Sequence, residues 1–187
     1  MQEPIPEESG TQLAHIARFG PWGRLLLRAS KTLAIAGGLI FVALVIMSIV
    51  SITGRKLFSA PLPGDVEILQ MCAAFAASTF FAYCHLINGD VKVDFFTHNM
   101  RPSRVAGMDA FGALLVGLFG ALIAWRTAVG AWSVQQVGET SAILGWPVWL
   151  AQALMVPGFA LLAAAGFYMC ALHLRDARAD SAAKAGA

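Results

Sequence analysis

The stretch LAIAGGLIFVALVIMSIVSI, Leu33 to Ile52, decides what kind of protein this is. It runs for twenty residues without a charge. At about 1.5 Å of rise per residue, a helix of that length covers about 30 Å, the thickness of a bilayer's hydrocarbon core. Three further long apolar stretches follow, at 66–87, 105–134 and 143–174, and the four account for most of the 187-residue chain. Hydrophobic residues make up 58% of the chain and charged residues 13%, where a soluble domain carries about 25% charged. The mean hydropathy is +0.67. The fold class is therefore an all-α integral membrane protein. One domain of four transmembrane helices, 32–174, lies between an arm, 1–31, and a tail, 175–187, that is expected to be disordered. A net charge of +2, with no Lys/Arg-rich run and no zinc-finger spacing, gives nucleic acid no footing.

The basic residues sort by segment. Arg18, Arg24, Arg28 and Lys31 precede the first span, Lys92, Arg101 and Arg104 lie between spans two and three, and Arg175, Arg178 and Lys184 follow span four. These ten share one face if the spans alternate, against Arg55 and Lys56 on the other, with Arg126 inside span three. The positive-inside rule then places both termini in the cytoplasm. The N-terminus opens with acidic and proline residues rather than a cleavable signal, so Leu33–Ile52 reads as a retained helix. Residues 13–31 mix Ile16, Phe19, Trp22 and Leu25–Leu27 with cations, broken at Gly20-Pro21. An amphipathic helix along the interface and a frayed arm both fit this pattern. Cys72, Cys84 and Cys170 all fall in spans, and the first two, about 18 Å apart on one helix, read as small packing residues.

Turn chemistry marks the joints. Pro61-Leu62-Pro63-Gly64 forces a turn, and Asp65 is placed to cap the second helix. Asn88-Gly89-Asp90 stops it. The segment Val91–Phe96 fits either a short extended piece or an interfacial loop with its phenylalanines in lipid. Pro102 is tolerated in the first turn of the third helix. In that helix Ala113, Gly117 and Ala121 recur every four residues, a face that lets another helix approach closely. Gly138–Ser141 makes the second outer loop, with Trp132, Trp146 and Trp149 around it as an aromatic belt. Pro157 falls inside span four as a kink site. Short links between four spans favour an up-down bundle.

Ionisable groups within a span are costly and call for a partner. Arg126 is the clearest, and Glu67, at the outer start of span two, is its natural acid, with Glu139 second. Arg55 is placed to reach the same carboxylates. The expectation is a structural charge cluster of Arg55, Glu67 and Arg126; the alternative is that each side chain snorkels separately. His85 and His173 both fall near cytoplasmic helix ends, so a bis-histidine haem is geometrically conceivable, though histidines among basic interfacial segments need no such role. There is no phosphate-cradling loop, metal-ligand spacing or nucleophile–base pair, so the chain is not expected to be an enzyme or to carry a cofactor. Four plain spans, with no acidic or Asn-rich ion site at their centres, read as an accessory subunit rather than a complete transporter.

The elements GRKLF (54–58), PLPGDVEILQ (61–70) and FFAYCHLINGDVKVDFF (80–96) follow one another in order. They resemble the small membrane subunit, the Q subunit, of the tripartite ATP-independent periplasmic (TRAP) transporters. The matching positions are Arg55, Pro61 and Pro63, Glu67, His85 and Val93-Asp94. The later run GETSAILGWPVWLAQALMVPGFALL (138–162) resembles that family's fourth helix. The similarity spans about Lys31 to Leu174.

The resemblance implies a multi-pass protein of the bacterial inner membrane that sits beside a large membrane subunit. That partner carries substrate and sodium by an elevator motion, and a periplasmic binding protein delivers an organic acid. The Q subunit would brace the scaffold and help dock the binding protein, with Arg55, Lys56, Asp65 and Glu139 as candidate docking contacts. Two other classes stay open: a small membrane component of the tricarboxylate (TTT) transporters, and a haem-binding anchor of a respiratory complex.

Overall fold

The computed structural model describes residues 19–58, 63–89 and 102–185. The expectations for residues 1–18, for Pro61-Leu62, and for the 90–101 segment with Val93-Asp94 lie outside the described residues. Four helices follow in order: α1 Pro21–Phe58, α2 Asp65–Leu86, α3 Pro102–Val137 and α4 Val148–Ala185. All four contain a window long and apolar enough to cross a membrane.

The boundaries depart from the sequence reading at the ends. Pro21 does not break an arm from the first span. It opens α1, where its fixed φ suits a first turn and its missing N–H costs nothing. The helix then runs unbroken for 38 residues, about 57 Å, carrying Arg24, Arg28 and Lys31 beyond its apolar section. At the other end of the chain, the tail expected to be disordered continues α4 to Ala185. Span four begins at Val148 rather than 143, because 138–147 forms a closed hairpin. In it Thr140 bridges to Pro147, Ser141 N–H donates to Trp146 O (2.8 Å) and Val148 N–H donates to Glu139 O (3.2 Å).

Helix α2 stops where Asn88-Gly89 predicts. Asn88 is left-handed (φ 53°), Asn88 N–H bonds to His85 O (3.2 Å) and Gly89 N–H bonds to Cys84 O (2.9 Å). That crossed pair of bonds is the Schellman arrangement, which satisfies the last carbonyls of a helix. Its start needs a correction: the cap is Gly64, left-handed at φ 76°, with no side-chain cap bond. Asp65 is already helical and accepts Val66 N–H at 2.8 Å.

The helices do not close into a bundle of sequential neighbours. The most extensive interface is α3–α4, followed by α2–α4 and α1–α2, with a narrow α1–α4 contact. The spatial order is thus α1–α2–α4–α3, with α2 and α4 central and α1 and α3 outermost. Small residues set each contact. A Cβ on Gly37 of α1 would strike the Thr79 side chain of α2, and one on Gly158 of α4 would come within 2.8 Å of Ser78 O. Gly166 of α4 lies directly on the Gly117 backbone of α3. On α3 the close approach to α4 runs along Ala113 and Gly117 and on through Gly120, where a Cβ would meet Ala163 N at 2.9 Å. Ala121 lies to its side, because the buried positions 110, 113, 117 and 120 step by three and four alternately. No more than 28% of any span's apolar window is buried within the chain, so most of the helical surface meets lipid or another protein.

Candidate functional site

The α1–α2 turn and the α3–α4 hairpin meet at one end of the molecule, and there the polar side chains converge. The first turn of α2 supplies two carboxylates, Asp65 and Glu67, where acids suit the positive end of the helix dipole. Asp65 faces α1: Ser51 Oγ donates to its Oδ2 (2.5 Å), and Arg55 Nη2 lies 3.4 Å from the same oxygen. Ser51 is buried, while the Arg55 side chain is 60% exposed and that of Asp65 19%.

Glu67 faces the other way, into the α3–α4 hairpin. Ile143 N–H donates to its Oε1 (2.9 Å) and Leu144 N–H to its Oε2 (3.1 Å). The Ser141 side chain faces the same carboxylate. Beside it Gly64 packs so closely on Leu144 that a Cβ there would come within 2.6 Å of Leu144 Cγ. Its left-handed φ makes glycine doubly required. One short turn of α2 therefore ties α1 to the hairpin, with one acid for each neighbour.

The expected cluster of Arg55, Glu67 and Arg126 does not assemble as one unit within the chain. Arg55 pairs with Asp65, Glu67 is occupied by backbone N–H groups, and Arg126 is exposed on the face of α3 turned from α4. Lys56 and Glu139 are exposed near the hairpin end. Trp132 and Trp146 are exposed there too, and Trp149 is half-buried. Sequence reasoning missed Ser51, although its place one helical turn before Arg55 puts both on one face.

The opposite end is closed by apolar packing. Phe19, Leu86, Ala113, Ala165 and Met169 form a buried cluster. Phe19 meets Tyr168 edge-on, with centroids 5.5 Å apart, and Gly20 N–H donates to Tyr168 Oη (3.1 Å). Nearby, His85, Asn88, Asp109 and His173 line a cavity of about 200 Å³ with Met108 and Met169. The two histidines considered for haem do share this cavity. It is smaller than the roughly 300–1,000 Å³ of pockets that enclose drug-sized ligands. Among the described residues, no group of three or more His, Cys, Asp or Glu side chains is arranged to hold a metal ion.

Four apolar helices, with turns locked at one end and their outer surfaces left to lipid or protein, define a multi-pass membrane subunit rather than a self-contained domain. The family described as "Tripartite ATP-independent periplasmic transporters, DctQ component" matches residues 44–176. The chain belongs to that family and is the small membrane subunit of a TRAP transporter, a transporter component rather than a member of an enzyme family. Comparison with curated proteins and with solved structures yields no match.

Proposed function

We propose that this chain is the static brace of a sodium-driven TRAP transporter. It holds the large elevator subunit in place and gives the periplasmic binding protein part of its docking surface during uptake of an organic acid. One observation carries the reading: Glu67 and Asp65 stitch both helical hairpins together at one end. Helices joined in this way resist sliding past one another, which suits a scaffold against which another subunit moves.

The bracing role goes with an orientation. The excess of basic residues on the segments opposite the hairpins argues for cytoplasmic termini and a periplasmic hairpin end, in the bacterial inner membrane. Arg55, Lys56, Asp65 and Glu139 then belong to the surface offered to the binding protein, with Lys56 and Glu139 the most available.

Reconstitution tests the role. Proteoliposomes holding the large subunit, this chain and the binding protein should take up the organic acid when a sodium gradient is imposed. Omitting this chain should abolish uptake. Full uptake without it would refute the bracing role, and uptake indifferent to sodium would refute the coupling.

A further inference from the structure

The two outermost helices, α1 and α3, each turn a face away from the rest of the chain, and the two faces differ in one respect. On α1 the outward residues Leu39, Val42, Ile46 and Ile49 are more than half exposed, and no charge interrupts the helix between Leu33 and Gly54. On α3 the outward stripe Phe119, Leu122, Arg126, Val129 and Ser133 is also exposed, but it carries a cation. Arg126 lies eleven residues before the end of α3 at Val137, about 16 Å along the axis. Successive positions of the stripe fall three or four residues apart, opposite the Ala113–Gly117–Gly120 face that packs on α4.

A guanidinium cannot lose its proton to escape lipid, and a bare charge in hydrocarbon is costly. The α1 face already has the composition that acyl chains require. The α3 face does not, and becomes favourable when a protein surface covers it and supplies an acceptor. We propose that the α3 stripe centred on Arg126 is the surface that seats against the large membrane subunit. Its occupant is a membrane helix presenting a carboxylate at the depth of Arg126, while the α1 face is left to lipid. The inference rests on the reading that this chain works beside that large subunit. Within it, Arg126 fixes the register and depth of the contact, because a bidentate Arg–carboxylate pair is directional and strong away from water.

The test uses this chain co-expressed with the large subunit and purified in mild detergent. A photoreactive benzoylphenylalanine placed at Leu122 should cross-link to the large subunit on illumination, and one placed at Val42 should not. Arg126→Glu should lower the large subunit recovered with this chain by about tenfold or more, as expected for reversing one charge of a covered pair, while Arg126→Lys should retain most of it. Cross-linking from Val42 and not from Leu122, in an intact complex, would overturn the inference and leave the bracing role standing. Recovery unchanged by Arg126→Glu would overturn the pairing and assign Arg126 to lipid phosphate by snorkelling. Failure of the unmodified chains to co-purify at all would overturn the functional reading and this inference with it.

Discussion

The two ends of the molecule are held by different physics. At the hairpin end, Ser51, Arg55, Asp65, Glu67 and the 143–144 backbone form a hydrogen-bonded stitch at the surface. At the terminal end, Phe19, Leu86, Ala165 and Met169 pack as an apolar cluster, with the Gly20 N–H to Tyr168 Oη bond at its edge. The hairpin end is joined by directional bonds that fix angle and register. The terminal end is joined mainly by contact area, which tolerates small rotations. Directional bonds at the hairpin end suit the docking role proposed for it.

The largest expected effect breaks the terminal end. Met169 is fully buried, so Met169→Ala should cost about 2–5 kcal/mol through lost contacts and the cavity left behind, read as a fall in Tm in detergent. Next comes the hairpin end. Glu67→Ala removes the acceptor of two backbone N–H groups, worth about 1 kcal/mol each, and should lower Tm by about 4–8 °C. Glu67→Gln, which keeps one carbonyl acceptor, should recover part of that loss. A drop for Glu67→Ala equal to that for Met169→Ala would erase the ranking of the two ends.

Smaller changes sharpen the contrast. Tyr168→Phe keeps the edge-on ring contact with Phe19 and loses the bond from Gly20 N–H, a cost of about 1 kcal/mol. Arg55→Ala should move Tm by about 1 °C or less, since exposed pairs contribute little, and the shift should vanish at about 1 M salt. Ser30 should reverse the sign. Its hydroxyl is buried with no hydrogen-bond partner, so Ser30→Ala should leave Tm unchanged or raise it slightly by removing an unsatisfied polar group. Unfolding curves of the purified variants in one detergent check all of these.

How far the sequence could be read depended on the range of the signal. Asn88-Gly89 announced the end of α2 because a left-handed turn is a local demand of the chain. Pro21 misled because proline both breaks helices and starts them, and the choice lay in the packing of Phe19 and Gly23 on Tyr168. The tail beyond Leu174 read as loose because its residues are small and polar, yet α4 continues through them to Ala185. The partner of Glu67 was out of reach for another reason. Its acceptors serve backbone N–H groups 76 and 77 residues away, and every residue but proline has such a group, so nothing in the sequence singles those two out. Arg126 stood out in the sequence as a charge within a span, and only the rotation of α3 about its axis shows that it faces away from Glu67.

By itself, the sequence determined the four membrane-crossing helices, the end of α2 and the family. Each rests on hydrophobic length, local turn chemistry or the order of short motifs, which act over a few residues. The tertiary structure decided the α1–α2–α4–α3 order, the shift of the close-packed face from Ala121 to Gly120, and the division of labour between Asp65 and Glu67. Those depend on which helix faces meet, and in a bilayer that choice is made by backbone approach and unsatisfied polar groups, since apolar surfaces are equally content against lipid.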